Sequence, residues 1–339
     1  MRELAVQEAV GAVLFHDITR IVPGEFAGRA FKKGHIILEE DIPVLLNLGK
    51  DNIYVLDLEE GYIHENEAAQ RIARAVCGNG IRMTEPSEGK VIMKSLFRGL
   101  LKVNVEALDR INAIDEIALA TLHGMRLVEA DTHVAGTRII PLFTDEVKIS
   151  QVEAIARSIF PLIEIKPLRP MKVGIVTTGN EVYHGRIEDK FGPVISKKIE
   201  DLGSKVMRQI LVSDNIPMTV AAIHELINGG AEMIVATGGM SVDPDDRTPA
   251  SIRAAGGKVV TYGSPTFPGA MFMLAHIGKV PVIGIPGCAM YQKATIFDLI
   301  VPRILAGETV TRADITSLGH GGLCASCPEC RHPNCGFGA

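Results

Sequence analysis

The chain has 339 residues, of which 47% are hydrophobic and 22% charged, with a formal net charge of −5. This is a globular composition with core material for two or three domains, and it excludes a whole-chain basic field that would favour nucleic acid or an anionic membrane. No apolar stretch approaches the length of a membrane span; the opening "MRELAVQEAVGAVLFHD" sets Glu3 and Glu8 beside a short apolar run, where a signal peptide needs a basic flank, so a cytoplasmic protein is expected.

Up to about Ile165, short strands and helices mix. "FKKGHIILEEDIPVLLNLGKDNIYVL" alternates apolar residues, then predicts a helical stretch ended by Gly49, then a strand Ile53–Leu56. "NEAAQRIARAVCGNG" puts Ala68, Ile72 and Val76 on one helical face, with Gly78 as the stop. "VIMKSLFRGLLKVNVEAL" and "GTRIIPLF" read as strands. "IKPLRPM" (165–171), with two prolines and two basic residues, reads as a linker.

From Lys172 strands and helices alternate. "KVGIVT" leads to a helix "PVISKKIEDLG" with Ile195, Ile199 and Leu202 on one face, Pro193 in its first turn and Gly203 as its stop. The strand "KVMRQILV" follows, then a helix with Val220, Ile223 and Ile227 on one face. Next come the strand "EMIVAT", the helix "TPASIRAAGG" and the strand "KVVTY". "AMFMLAHIGKVPVIGIPG" reads as a short helix or strand and then a strand. A long helix is expected over about Ala289–Leu305, bent or ended early by Pro302. This order predicts an α/β fold with a doubly wound, mainly parallel sheet over 171–308. It is preceded by a smaller α+β, β-rich region over 1–165 and followed by a short cysteine-rich tail over 309–339.

Ligands of such sheets bind beyond the carboxyl ends of the strands. The loops there are "TTGNE" (177–181), "SDN" (213–215), "TGGMSVDPDD" (237–246), "GSPTFPGAM" (263–271) and "PGCAM" (286–290). Glycines let backbone N–H groups approach a phosphate, and Thr178, Thr237 and Ser241 add hydroxyl donors. Glu181, Asp214 and Asp246 are hard oxygen ligands of the kind magnesium prefers. Each loop also has a plain reading: "TTGN" as a turn, "SDN" as a helix cap, "PGCAM" as a helix start. Their placement on one edge of one sheet favours a small-molecule site.

At these residues the chain resembles the molybdopterin-binding domain of the MoeA-type molybdopterin molybdotransferases and gephyrin. The matching positions are Thr178–Gly179–Asn180–Glu181, Asp214–Asn215, Thr237–Gly238–Gly239–Met240–Ser241 with Asp246, Pro268–Gly269, and Gly284–Ile285–Pro286–Gly287–Cys288. The resemblance implies that molybdopterin, or its adenylylated form, is the ligand. Gly238, Gly239 and Ser241 would cradle its phosphate, and Glu181, Asp214 and Asp246 would act with magnesium as catalytic acids while molybdate is inserted and AMP released. Family analogy suggests a homodimer, with a molybdenum or tungsten enzyme as acceptor of the product. The chain departs from the pattern at Ala270, where the family has lysine, at Cys288–Ala289, where it has Asn-Pro, and at Asp243, where it has glycine. The family's S-A-M-D-G-Y-A signature is absent from the first half. The retained acids favour an enzyme; the departures favour a molybdopterin carrier or sensor.

"CASCPECRHPNC" places Cys324, Cys327, Cys330 and Cys335 in a C-x2-C-x2-C-x4-C run, with His320 and His332 as further candidates. Four thiolates supply a zinc site or an iron–sulfur cluster, and free thiols in a floppy tail are the plain alternative. Cys77 on its helix reads as packed, and Cys288 either faces the ligand or starts a helix.

Overall fold

The computed structural model describes residues 2–22, 26–56 and 61–338. Its α/β part is built from β1 (Lys172–Thr178), α1 (Phe191–Asp201), β2 (Lys205–Val212), α2 (Ile216–Asn228), β3 (Met233–Thr237), α3 (Thr248–Ala254), β4 (Lys258–Tyr262), β5 (Met273–Ile277), β6 (Val280–Ile285) and α4 (Ile296–Leu305). The six strands form one sheet in the order β2-β1-β3-β6-β5-β4. β2, β1, β3 and β6 run parallel, with Val176 opposite Ala236 and Ala236 opposite Gly284. β5 and β6 form an antiparallel hairpin, and β4 pairs antiparallel with β5. "MLAHI", left open between helix and strand by its sequence, is therefore a strand.

Apolar residues occupy both faces of the central strands, as a sheet covered on both sides requires. Val173 and Ile175 of β1, Met233 and Val235 of β3, and Ile283 and Ile285 of β6 face a core completed by α1 and α4. Val176, Ile234, Ala236 and Val282 face the other core, under α2 and α3. Thr219, Ala222, Ile223 and Leu226 are the buried face of α2. Of the expected Val220, Ile223 and Ile227, Ile223 is fully buried and the other two are partly buried against the same core.

The expected helix from Ala289 is interrupted. A 3-10 turn covers Gly287–Met290, and α4 begins only at Ile296, behind a Thr295–Asp298 capping box. Pro302 does not end α4: every residue from Leu299 to Leu305 is buried. Burial on all sides outweighs the roughly 3 kcal/mol a helix-interior proline costs.

The first region holds two cores rather than one. One is formed by residues 4–55, including Leu14, Ile18, Ile37 and Leu45. The other lies between 63 and 165 and includes Ile72, Met93, Leu101, Ile111 and Val152. Asn104 caps a helix at Val105–Asn112, so "NVEAL" leaves the strand expected there. The expected linker starts later than Ile165. Ile163–Pro167 is a strand paired antiparallel with Gly99–Val103, with Pro167 at the end of an edge strand, where its missing N–H is tolerated.

Glu308, just beyond α4, joins this region to the α/β part. It accepts from Lys102 Nζ at 3.0 and 3.1 Å and from Lys166 Nζ at 2.7 Å. Burial alone would raise its carboxyl pKa, but the hydrogen bonds from Lys166 and Lys102 outweigh it and the net shift is downward. A depressed folded pKa contributes stability that is present above the unfolded value and lost as pH falls through the folded one. Glu308→Gln is expected to cost roughly 1–2 kcal/mol at pH 7. Urea titrations of both proteins should converge toward acid pH; a constant difference would contradict the ion-pair account.

Candidate functional site

β1, β2, β3 and β6 end on one edge of the sheet. β4 ends there too, because two successive antiparallel pairings return it to the direction of β6. Three of the five loops at this edge wall a pocket of about 460 Å³. The loop after β3 brings Gly238, Gly239, Met240, Ser241 and Asp246. The loop before β5 brings Ala270 and Met271, the turn after β6 brings Pro286, Gly287 and Cys288, and α1 adds Phe191.

Close approach of backbones fixes this shape. Gly238 has φ +80°, and a Cβ there would stand 2.1 Å from the Thr178 carbonyl oxygen. Gly239, at φ +52°, lies against the Thr178 and Thr248 hydroxyls. Thr248 then ties the loop back: its N–H donates to Gly239 O at 3.0 Å and its hydroxyl to Gly238 O at 2.8 Å. Gly287 is different, since the nearest atom to a Cβ there is Phe191 Cζ at 3.9 Å. It borders open space on the pocket side.

Thr178 and Thr237 are buried, and their hydroxyls are engaged within the protein. Thr178 shares a hydrogen bond with Thr248 at 3.0 Å, and Thr237 donates to Thr177 at 3.1 Å. Neither lines the pocket, so of the three proposed hydroxyl donors Ser241 alone is in place to meet a ligand. Gly269 is held tightly as well: its φ is +133°, and a Cβ there would stand 2.8 Å from Ile296 Cγ2. It and Pro268 are not among the residues that line the pocket. Gly179 and Asn180 also lie outside the pocket wall.

The three acids are divided. Asp246 reaches the pocket, while its Oδ2 accepts from the Asp243 N–H at 3.1 Å and closes the turn. Asp243, off the family pattern, is thus the other end of that turn. Asp214 accepts from the Asn180 N–H at 2.9 Å, and its own N–H donates to Asn180 Oδ1 at 3.3 Å, locking two loops together. Asn215 caps α2, which leaves Asp214 free for this role. Glu181 is exposed in the helical turn Asn180–Tyr183. Burial raises the Asp214 pKa; the Asn180 N–H opposes this, and the charges of Glu181, Asp245 and Asp246 add to the rise. Among the described residues no group of three or more His, Cys, Asp or Glu is placed to hold a metal ion. One carboxylate in a pocket wall is a donor set that magnesium accepts, since that ion takes one or two protein carboxylates and completes its shell with ligand oxygens and water.

Residues 174–306 match the family model of a probable molybdopterin binding domain. This segment is similar to domains of that description, and the match leaves more than half of the chain outside it. Residues 3–57 match a domain of unknown function, DUF8806, and coincide with the first of the two N-terminal cores. The molybdopterin adenylyltransferase of Pyrococcus furiosus is 33% identical over 95 residues, 28% of this chain and 56% of its own. The molybdenum cofactor biosynthesis bifunctional protein of Synechococcus elongatus is 27% identical over 159 residues, 47% of this chain and 48% of its own. A CinA-like protein of Anaeromyxobacter dehalogenans is 37% identical over 96 residues, 28% of this chain and 23% of its own. The chain thus spans about half or less of these relatives' lengths.

Sequence reasoning missed Phe191, Met240 and Met271 in the wall of the pocket. Phe191 starts a helix and Met240 sits between glycine and serine, so neither carries a chemical signal. Cys288 is half-buried at the wall, and burial raises its thiol pKa. Cys77, on the N-terminal helix, is pushed up to about 12 by burial, in keeping with a packed thiol.

The tail packs onto the α/β part. Val310, Ile315, Leu318 and Phe337 join the core beneath α4. Phe267 N–H donates to Gly322 O at 2.7 Å and Cys324 N–H to Phe267 O at 2.8 Å. Cys324 and Cys335 are half-buried against that core, whereas Cys327 and Cys330 are exposed. All four line one cavity of about 360 Å³, together with His332, but they are not gathered to ligand distance. No helix among the described residues is long and apolar enough to cross a membrane.

Proposed function

We propose that this chain acts in molybdenum cofactor assembly in the cytoplasm, as a relative of the MoeA and gephyrin enzymes. It binds molybdopterin or its adenylylated form in the pocket bounded by Gly238, Gly239, Ser241, Gly287 and Cys288, and inserts molybdate with release of AMP. The observation that carries this reading is the convergence of three loops, two of them bringing glycines, on one pocket at the carboxyl edge of the sheet. An anion there is met by backbone N–H groups and the Ser241 hydroxyl, as glycine-rich phosphate loops do. Magnesium held by Asp246 and phosphate oxygens would supply charge stabilisation at the phosphorus. Asp246 would position that cation, and the neighbouring charges of Asp214 and Glu181 would add negative potential that attracts it.

Asp246→Asn is expected to lower magnesium-dependent AMP release from adenylylated molybdopterin by about 100-fold or more, while the pterin still binds. AMP release at the wild-type rate removes Asp246 from the catalytic assignment. A carrier or sensor for a molybdenum or tungsten enzyme is the second reading. It is favoured by Ala270, which puts a methyl in the wall where the resembling family has a lysine, and tight binding without AMP release would select it. The homodimer and the zinc or iron–sulfur group in the tail belong to the same reading.

A further inference from the structure

On the pterin reading given under Proposed function, we propose that Phe191 is the face against which the ligand's planar ring lies, and that Asp189 is the residue that positions it.

The pocket wall has two chemistries. The β3 loop brings Ser241, Asp246 and the backbone of its two glycines, whereas α1 and the loop before β5 bring the apolar surface of Phe191, Ala270 and Met271. A ligand that joins a phosphate to a planar ring meets both. The phosphate suits the glycine loop. The ring suits the apolar side, since small-molecule pockets bury rings against apolar and aromatic side chains and orient them with a few polar groups. Among the described residues that line this pocket, Phe191 is the aromatic one, and aromatic rings prefer to pack against one another in offset or edge-on arrangements. Phe191 is half-buried, and its ring tip reaches the turn after β6, with Cζ 3.9 Å from where a Cβ would stand at Gly287.

Phe191 is held in this place by hydrogen bonds that start at Asp189. Residues 184–188, which lead into α1, are all exposed, and the Asp189 carboxylate ties their end to the sheet. Its Oδ1 accepts from the Phe191 N–H at 2.9 Å. Its Oδ2 accepts from the Gly192 N–H at 3.0 Å and from the Gln209 amide at 2.5 Å. The same Gln209 nitrogen, on β2, donates to Thr177 Oγ1 at 2.9 Å near the end of β1, and Thr177 accepts from Thr237 at 3.1 Å. Thr237 immediately precedes Gly238. A continuous set of hydrogen bonds thus runs from the aromatic side of the pocket to the start of the glycine loop and holds the two at a fixed spacing. Gly192 lets this clamp close: a Cβ there would stand 2.3 Å from Gln209 Oε1 and 2.5 Å from Asp189 Oδ2. A wall fixed in advance loses less freedom when a ligand binds.

In titrations followed by pterin fluorescence, Phe191→Ala should bind molybdopterin on the order of tenfold more weakly than wild type, and Phe191→Tyr, which keeps the aromatic face, within about twofold of it. The chain has no tryptophan, so Phe191→Trp places a lone reporter in the wall, and its emission should be quenched at saturating molybdopterin. Equal affinity of wild type and Phe191→Ala, or unquenched emission from Phe191→Trp, overturns the ring contact and leaves the pterin reading standing; no binding by wild type overturns both. Asp189→Ala should weaken binding by about fivefold, and its amides at 191 and 192 should exchange hydrogen about tenfold faster, with β1 and β3 unchanged. Asp189→Asn should stay near wild type in both respects, because its Oδ1 still accepts from the Phe191 N–H and a turned Gln209 amide accepts from its Nδ2. The exchange measurement uses no ligand, so it tests the positioning role even where the pterin reading fails. Wild-type exchange at 191 and 192 in Asp189→Ala overturns that role, as does an Asp189→Asn variant no better than Asp189→Ala, which would point to the charge of Asp189 instead.

Discussion

Gly238→Ala is expected to cost about 3 kcal/mol or more and to abolish ligand binding. A left-handed backbone alone costs a non-glycine residue roughly 1–2 kcal/mol. The added methyl then meets the Thr178 carbonyl oxygen at 2.1 Å, and that oxygen is at the end of a buried central strand bonded on both sides. Neither backbone can withdraw without breaking the hydroxyl contacts among Thr178, Thr248 and Gly238. Gly287→Ala is the control. Its methyl has only Phe191 Cζ at 3.9 Å, so stability should change by less than about 0.5 kcal/mol. Urea unfolding of the two variants checks the contrast. Equal stabilities would mean that the β3 loop is not held against Thr178.

Phe337→Ala is expected to cost about 3 kcal/mol, the low end for truncating a buried phenylalanine. Phe337 is 7% exposed and belongs to the core cluster of α4, although it lies in the tail. Gly338 packs beside it, with its Cβ position 2.4 Å from Leu299 Cδ2. Because the tail can open without the sheet unfolding, the loss should appear locally, as tryptic cleavage within residues 309–331 about 100-fold faster than in wild type. Cleavage at the wild-type rate would show that Phe337 does not anchor the tail.

The loops at the carboxyl edge of the sheet were legible because glycine position is itself the signal: the backbone of Gly238 demands the residue type that the sequence displays. Strand ends were legible for a similar reason, since apolar runs bounded by turn residues mark them. Partners of side chains were not. Thr178 and Thr237 look like donors in any loop, and only the neighbouring strands reveal that each is satisfied by another threonine. Asp214 has the same ambiguity; its carboxylate holds the Asn180 amide across 34 positions of sequence. The tail's sequence displays its cysteines, whereas the apolar residues that dock it, Val310, Ile315, Leu318 and Phe337, are scattered without a periodic pattern. Ile163–Pro167 was obscured by Pro167 and the Pro170 that follows it, because an edge strand and a linker tolerate proline equally well.

The central claim is that the pocket between Gly238 and Gly287 holds molybdopterin. The most direct test is an equilibrium titration of wild type and Gly287→Val with molybdopterin, followed by pterin fluorescence. Wild type is predicted to bind at micromolar concentration or tighter, and Gly287→Val, which fills the open side of the pocket, at least about tenfold more weakly at unchanged stability. Equal affinities, or no binding by wild type, would contradict the account.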